Sequence, residues 1–237
     1  MAAALHKLMN PRRFDPIRFD KAGAAPHVDY SDRVQRVNVD AAALASELRR
    51  EVRGEVRFDD GSRALYATDA SNYRQVPIGV VLPYDANDVI ATVALARKHG
   101  APILARGGGT SLAGQCCNVA VVLDFSKYMH AILELKPGEK YAWVQPGIVL
   151  DDLRTAAEEH RLTFGPDPAT HTRCTIGGMI GNNSCGVHAL MAGKTVDNIE
   201  ALKILTYDGV QLTVGATSDD EIERAIARGG REGEIFA

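Results

Sequence analysis

Glycine is unevenly distributed in this chain, and its distribution limits what the middle of the chain can form. Of the 22 glycines, 13 lie between Gly100 and Gly193. A residue without a Cβ permits tight turns and lets another group approach the backbone closely. Most of these glycines belong to two loop systems, one directly after a predicted strand at 102–105 and one within 165–194. Both loops are therefore candidates for binding a ligand through the backbone.

The composition is that of a folded protein with a sizeable core. The chain has 237 residues, 46% of them hydrophobic, and its formal net charge of -3 provides no field that would attract nucleic acid. No segment approaches the roughly 20 apolar residues of a membrane span, and residues 1–21 lack the apolar run of a signal peptide. The cysteines form no evenly spaced disulfide framework, which suits a reducing compartment. We therefore expect a cytoplasmic protein without a membrane span or a nucleic-acid partner.

The first half of the chain predicts two helices and three strands. Asp40 is a suitable N-cap for a helix whose apolar residues recur every four positions until Gly54, and a second helix runs from Asp85 to Gly100. The first thirty residues contain three prolines and no apolar periodicity, which indicates an irregular arm. Short apolar runs predict strands at 78–83, 102–105 and 119–123.

The second half predicts a strand at 141–145, a helix at about 149–160, and a hairpin of 199–207 with 210–214. Ser218 and Glu221 form a capping box that opens a last short helix. The segment 165–194 is so rich in Gly, Pro, Asn and Thr that we predict no regular element in it. A loop of about thirty residues inside a compact domain is unusual and tends to be functional.

The first glycine loop, Arg106-Gly-Gly-Gly-Thr-Ser111, has the composition of a phosphate-binding loop. Successive glycines let neighbouring N–H groups point into one concavity that binds phosphate oxygens. The Arg106 guanidinium and the hydroxyls of Thr110 and Ser111 would add further hydrogen bonds. An ordinary tight turn is the alternative interpretation.

Two standard nucleotide motifs do not fit this loop. In a P-loop, Gln115 would stand where the phosphate-binding lysine belongs, and Cys116 where the magnesium-binding hydroxyl belongs. In a Rossmann fingerprint, Leu112 would replace the third glycine. ATP hydrolysis and nicotinamide binding are therefore disfavoured at this loop.

The second loop system combines bare backbone with short polar side chains, at 165–168, 174–178 and 181–186. Amides and hydroxyls of this kind can contact a ring edge or a ribityl chain in a pocket. A surface hairpin is one alternative. A second alternative is a zinc site, because two histidines and two cysteines are suitably spaced, and these residues are His171, Cys174, Cys185 and His188.

Seven motifs, in this order along residues 66–209, resemble the FAD-binding domain of the vanillyl-alcohol oxidase/p-cresol methylhydroxylase superfamily. The resemblance is nearest to its FAD-linked 2-hydroxyacid dehydrogenases, of the glycolate oxidase and D-lactate dehydrogenase type. The motifs are Val80-Val-Leu-Pro83 with Asp88-Val89, Arg106-Gly-Gly-Gly-Thr-Ser-Leu-Ala-Gly-Gln115, Gln145-Pro-Gly147, Gly165-Pro-Asp-Pro168, Ile176-Gly-Gly178, Asn182-Asn-Ser-Cys-Gly186 and Asp197-Asn-Ile199.

The resemblance implies an α+β fold of two subdomains with FAD between them. We expect an N-terminal extension at 1–76, a first FAD-binding subdomain at 77–132 and a second at 133–237. The family continues beyond this point with a Gly-Ser-Glu-Gly-Thr segment and a substrate-binding cap. We therefore expect the second subdomain to be truncated and the cap to be absent.

The resemblance also implies which residues contact FAD. The pyrophosphate would lie on 107–111, the flavin end on 166–167, 176–178 and 183–186, and the adenine beside Ile199. Covalent members carry a histidine just after the loop glycines, where this chain has Thr110, so we expect noncovalent FAD. The full predicted set is Arg106, Gly107, Gly108, Gly109, Thr110, Ser111, Gln115, Pro146, Gly147, Pro166, Asp167, Ile176, Gly177, Gly178, Asn182, Asn183, Ser184, Gly186 and Ile199.

The implied activity is oxidation of a D-2-hydroxyacid such as lactate, glycolate or 2-hydroxyglutarate. Long family members pass electrons to an iron-sulfur domain, so such a domain or subunit is a possible partner. The substrate arginines, metal ligands and catalytic base usually come from the cap, so no catalytic or metal-binding residue is assigned to this chain. The alternative is a flavin-binding module that has no turnover of its own.

Overall fold

The computed structural model describes residues 39–237, which form an α+β structure. The predicted irregular arm of the first thirty residues lies outside the described residues. The helices are α1 (Ala41–Glu51), α2 (Asp60–Leu65), α3 (Ala86–Lys98), α4 (Leu150–Glu158), α5 (Ile176–Asn182), α6 (Ala189–Ala192), α7 (Asp219–Arg228) and α8 (Gly230–Phe236). The strands are β1 (Glu55–Arg57), β2 (Gly79–Leu82), β3 (Ile103–Arg106), β4 (Val121–Asp124), β5 (Ile132–Lys136), β6 (Tyr141–Val144), β7 (Ala201–Leu205) and β8 (Gln211–Gly215).

A four-stranded sheet in the order β1-β2-β4-β3 organises the first half of the chain. Strands β2, β4 and β3 are parallel, and β1 adds to the edge of β2 in the antiparallel direction. Every residue of β2 and β4 is buried, as expected for continuous apolar runs in the middle of a parallel sheet. The three strands predicted in this half are confirmed.

The two predicted helices cover this sheet and begin where their capping residues indicate. The Asp40 carboxylate accepts the N–H groups of Ala42 and Ala43, at 3.1 and 2.9 Å, and Asp85 caps α3 in the same way. Leu44 and Leu48 of α1 are fully buried in one cluster with β2 and β4. Burial of one such side chain contributes roughly 1.5–3 kcal/mol, so the apolar stripe of α1 is core.

Strand β1 and helix α2 were not predicted. Residues 53 and 54 are fixed by the buried carboxylate of Asp88, which accepts the N–H groups of Arg53 and Gly54 at 2.9 Å each. The chain then enters β1, which has only three residues. A strand of this length has too little sequence pattern to be recognised, and its position depends on a tertiary contact with α3.

Two separate antiparallel pairs, β5-β6 and β7-β8, follow in the second half. Helix α4 buries Leu150, Leu153 and Ala157 in a second core cluster. Helix α7 starts with the predicted capping box, in which Glu221 accepts the N–H of Ser218 at 2.8 Å. The strand at 141–145, the helix after it and the hairpin are therefore confirmed.

The prediction that 165–194 contains no regular element was wrong. Helix α5 spans seven residues in the middle of this segment and α6 follows it, while a short 3₁₀ helix lies just beyond the segment, at Thr195–Asn198. The glycines of α5 lower its intrinsic helix propensity, but Ile176 and Met179 are buried against α4 and its neighbours. This burial outweighs propensity, as is common for short helices. Among residues 39–237, no helix is long and apolar enough to cross a membrane.

Candidate cofactor site

The first glycine loop leaves the sheet at the carboxyl end of β3, and its backbone donors are unused. The amides of Gly107, Gly108, Gly109 and Thr110 donate no hydrogen bond within residues 39–237. Gly109 has a φ of +64°, a conformation that side chains disfavour. Ligands of open parallel sheets bind outside the carboxyl ends of the strands, and a run of free N–H groups suits phosphate oxygens. The loop therefore fits a phosphate or diphosphate group.

The structure brings this loop against the second glycine-rich region. A Cβ on Gly107 would overlap Oγ1 of Thr175, and a Cβ on Gly108 would overlap the carbonyl oxygen of Arg173. Neither position has room for a Cβ, because Gly107 packs on the Thr175 side chain and Gly108 packs directly on the backbone of Arg173. The two loop systems that are separate in the sequence thus form one continuous region.

The Arg106 side chain contacts the backbone of the segments next to the loop. Its guanidinium donates to the carbonyl oxygens of Tyr66, Thr68 and Cys116 at 3.3, 2.9 and 3.0 Å, and it lies 5.2 Å from the centre of the Tyr66 ring. The predicted contact of Arg106 with the cofactor remains a prediction. The contacts that are present anchor the strand end from which the glycine loop begins.

Half-buried Tyr66 and buried Asp124 form a hydrogen-bonded pair next to Arg106 that the sequence did not reveal. The Tyr66 hydroxyl donates to Asp124 at 2.6 Å, and Asp124 also accepts the N–H of Ser126 at 2.8 Å. Burial, and then the Asp124 hydrogen bond, raise the pKa of Tyr66 well above its usual range. Tyr66 is therefore a neutral donor that ties the segment between α2 and β2 to the end of β4.

Ser111 and Gln115 close the second half of the loop. The buried Ser111 hydroxyl donates to Oε1 of Gln115, and the same oxygen accepts the N–H of Ala113 at 3.2 Å. Both were predicted to contact the cofactor. Their observed bonds keep the loop closed, and a direct contact with the cofactor remains a prediction.

The first turn of α5 is tied to the segment that follows β6. The N–H of Gly177 donates to the carbonyl of Pro146 at 2.8 Å, and a Cβ on Gly177 would lie 2.8 Å from the Pro146 ring. Gly147 is equally confined, because a Cβ there would overlap the carbonyl oxygen of Phe125. The Gly178 amide donates to Thr175 at 3.3 Å, and the Ile176 side chain is buried in the core. The amides of Gly177 and Gly178 are thus already bonded, and the predicted contacts of these residues with the cofactor remain predictions.

Backbone N–H groups without a hydrogen-bond partner within residues 39–237 occur again directly after α5. Asn183 adopts a left-handed conformation, with a φ of 48°, and its side-chain oxygen accepts the N–H of Val196 at 3.0 Å. The main-chain carbonyl of Ser184 accepts both donors of Thr195. Three consecutive amides donate no hydrogen bond within residues 39–237, those of Cys185, Gly186 and Val187. This stretch, together with the exposed side chain of Asn182, can donate to polar atoms of a ligand.

The turn at 165–168 lies against this stretch. Asp167 accepts the backbone N–H of His188 at 3.2 Å and is also bonded by Nδ1 of the same histidine. The hydrogen bond from His188 holds the pKa of Asp167 below its usual value. Gly186 packs on Asp167 without room for a Cβ. Pro166 is buried, and half-buried Ile199 ends the 3₁₀ helix that follows.

The zinc alternative is not supported. Within residues 39–237, no group of three or more potential ligands lies close enough to hold a metal ion. His171 bonds Asp151 at 2.7 Å, and His188 bonds Asp167 instead. Cys174 is buried whereas Cys185 is exposed. The four side chains that the spacing suggested as ligands thus belong to separate contacts.

Comparison with known proteins defines the class of this protein. Residues 77–215 match the FAD binding domain family, and the chain belongs to that family. The match includes both glycine loops and all predicted contact residues. The cofactor of this domain is therefore FAD, in agreement with the free amides of the first loop.

Among curated proteins, the chain is similar to two 2-hydroxyacid enzymes. It is 36% identical to D-2-hydroxyglutarate dehydrogenase of Pseudomonas putida over 187 residues, which are 78% of this chain and 19% of that protein. It is 34% identical to glycolate oxidase subunit GlcD of Escherichia coli over 77% of this chain and 37% of that subunit. The chain thus spans well under half the length of these relatives.

Solved structures show the same fold at lower sequence similarity. An alkyldihydroxyacetonephosphate synthase aligns with a TM-score of 0.66 at 21% identity, over 77% of this chain and 39% of that one. The wild-type BBE-like 1 protein of Physcomitrella patens aligns with a TM-score of 0.65 at 21% identity, over 74% and 38%. These similarities confirm the α+β fold of an FAD-binding domain.

Proposed function

We propose that this chain is the FAD-binding portion of a flavin-dependent oxidoreductase that oxidises a D-2-hydroxyacid such as lactate, glycolate or 2-hydroxyglutarate. The observation that carries the proposal is the run of four unused amides at 107–110 beside the second glycine region. The membership of this chain in the FAD binding domain family supports FAD as the cofactor. The names of its relatives support the substrate class.

In this proposal the chain supplies binding and orientation. The amides of 107–110 would hold the pyrophosphate, and the hydroxyl of Thr110 would add one donor. The free amides of 185–187 and the side chain of Asn182 would donate to the flavin end, while Gly177 would allow close approach. When bound, FAD supplies the two-electron oxidation chemistry, and the protein determines how its reactive end is presented.

We also propose that FAD is bound noncovalently, because Thr110 offers only a hydroxyl where covalent members carry a histidine. Denaturing the loaded protein with acid and separating protein from supernatant tests this directly. Release of all flavin into the supernatant is expected. Flavin that stays with the precipitated protein would contradict noncovalent binding.

The catalytic base, the electron acceptor and any iron-sulfur partner are not assigned to residues of this chain. A cytoplasmic location and the division at 1–76, 77–132 and 133–237 also remain proposals. The pairing of β1 with β2 brings residues 55–57 of the extension into the sheet of the first subdomain. Any boundary between these two parts therefore lies before β1 or passes through a shared sheet.

The second candidate function is a flavin-binding module that acts only with further polypeptide. It is favoured by the small share of the relatives that this chain spans, 19% and 37%. Anaerobic mixing of the FAD-loaded chain with D-2-hydroxyglutarate or D-lactate separates the two functions. Bleaching of the flavin absorbance supports the oxidoreductase, and a bound flavin that stays oxidised supports the module.

FAD binding itself is tested by titration with a matched pair of variants. Gly108→Ala places a Cβ on the carbonyl of Arg173, whereas Gly138→Ala places one in open space. We expect wild type and Gly138→Ala to bind FAD and quench its fluorescence equally, and Gly108→Ala to bind about tenfold or more weakly. Equal FAD affinity of all three proteins would show that the glycine loop is not part of the FAD site.

A further inference from the structure

One guanidinium holds the turn at 165–168 through three consecutive carbonyl groups. Arg154, on the buried side of α4, donates through Nε and Nη2 to the carbonyl of Phe164 at 3.1 and 3.0 Å. Its Nη2 also reaches the carbonyls of Gly165 and Pro166, at 3.4 and 3.2 Å. Nη2 alone contacts all three carbonyls and Nε adds a second donor to Phe164, so a lysine, which has one donor atom in place of two on a shorter side chain, would lose part of this set.

A second side chain that bonds this turn is that of His188. Its backbone N–H and Nδ1 each bond one oxygen of Asp167, and the Asp167 side chain is only 15% exposed. Gly186 packs on the backbone of the same residue. The carboxylate that would lie at the flavin end is thus paired, oriented and covered from one side.

Little apolar burial holds the turn otherwise. Pro166 is its only buried residue, and Asp167 and Pro168 are half-buried. Its conformation therefore depends largely on charge-assisted hydrogen bonds from two elements, α4 before it in the sequence and the segment after α5 beyond it. Such bonds are among the stronger and more directional contacts available to a protein.

We propose that Arg154 and His188 are positioning residues that together fix the turn at 165–168 in the orientation in which Pro166 and Asp167 meet the bound flavin. The inference rests on the proposed function, because the turn must lie beside FAD. Neither residue belongs to the predicted contact set. Arg154 acts through the backbone of the turn, and His188 acts through Asp167.

The test uses the full chain and compares FAD affinity with the visible circular dichroism of the bound flavin, which reports the orientation of groups around it. Variants of the contact residues are Arg154→Met, Arg154→Lys, His188→Gln, Asp167→Asn and the double variant His188→Gln/Asp167→Asn. Matched controls are Arg50→Met and His160→Gln, since these exposed side chains make no hydrogen bond within residues 39–237. Far-UV circular dichroism without FAD reports folding separately.

We expect Arg154→Met to weaken FAD binding about tenfold and to change the visible spectrum, with Arg154→Lys restoring little of either. His188→Gln and Asp167→Asn should each change the spectrum, and the double variant should be no worse than either single one, because the two residues form one contact. The two control variants should match wild type.

Three results would overturn the inference alone. These are Arg154→Met with wild-type affinity and spectrum, additive effects of His188→Gln and Asp167→Asn, or spectral changes equal to those of the controls. If Arg154→Met does not fold, the His188 and Asp167 comparison still decides, because it needs no change in α4. A folded wild-type chain that binds no FAD would overturn both the proposed function and this inference.

Discussion

The first sheet and the segment 165–198 are stabilised in different ways. Strands β2 and β4 are buried throughout and packed under α1 and α3, so apolar burial holds that region. The later segment has few buried side chains, and it leaves Val187, Leu190 and Met191 at least 86% exposed. Helix α5 buries Ile176 and Met179 in the second core cluster, but outside α5 the contacts of this segment are mainly side-chain bonds to backbone groups and close glycine packing. Apolar burial therefore stabilises most of the first region, the sheet with α1 and α3, whereas the second region, 165–198, relies more on directional contacts, to which a bound ligand can add.

The largest expected effect is on the buried core of the first region. Leu48→Ala removes a fully buried side chain and should lower the free energy of unfolding by about 2–5 kcal/mol. FAD affinity, measured well below the unfolding temperature, should not change, because the core cluster that contains Leu48 includes none of the predicted contact residues. Chemical denaturation and FAD titration give the two values.

Leu65→Ala is the control for this experiment, since Leu65 is 73% exposed and its truncation should be nearly neutral. FAD affinity is compared at a temperature where wild type and Leu48→Ala are both fully folded. Weaker FAD binding by the folded variant would contradict the view that the core of the first region does not affect the cofactor site.

The next effect contrasts two glycines of the same helix, α5. Gly177→Ala places a Cβ 2.8 Å from the Pro146 ring, whereas Gly181→Ala places one in open space. Crowding should make Gly177→Ala less stable by about 1–3 kcal/mol and weaker in FAD binding. Gly181→Ala should be stabilised by up to about 1 kcal/mol through helix propensity. Denaturation midpoints of the two variants should therefore move in opposite directions, and a shift of the same sign would show that close packing does not explain Gly177.

Most of the first region could be predicted from the sequence because its signals are local. Asp40 and Asp85 are capping residues at the starts of amphipathic helices, and the β-branched runs of β2 and β4 are typical of buried parallel strands. The glycine loop and its free amides were also predictable, since they follow from composition and position.

The second region could be predicted as a ligand-binding region but not as a structure. Helix α5 was missed because its three glycines give it a low intrinsic helix propensity. Its stability comes instead from the burial of Ile176 and Met179. The roles of Arg154 and Tyr66 were also missed. Their partners are carbonyls and a carboxylate that only the folded chain brings near, and no spacing in the sequence records such contacts.

A smaller effect concerns an ionic contact of the first region and gives a pH dependence. Glu55 is bonded by Lys127, Tyr128 and Arg57, which lower its pKa from 4.5 to about 2, the Lys127 bond having the largest influence. Because the folded-state pKa is depressed, this stabilisation is complete above about pH 4.5 and is lost as the pH falls toward 2. Since the carboxylate is partly exposed, we expect Glu55→Gln to cost about 1–2 kcal/mol at pH 7.

Unfolding measured from pH 7 to pH 2 checks this prediction. The wild-type and Glu55→Gln curves should be separated at neutral pH and should converge at the acid end. A constant separation across the whole range would mean that the variant acts through packing and not through the charge of Glu55.

The smallest effect compares the N-caps of one helix in each region. Asp40→Ala removes two capping bonds of α1, and Thr175→Ala removes the single, longer bond at 3.3 Å to Gly178. Each should reduce the free energy of unfolding by about 0.5–2 kcal/mol. Thr175 also packs against Gly107 of the glycine loop, so only Thr175→Ala should alter FAD affinity. Equal FAD affinity in both variants, despite measurable destabilisation, would show that the contact between the two loop systems does not shape the cofactor site.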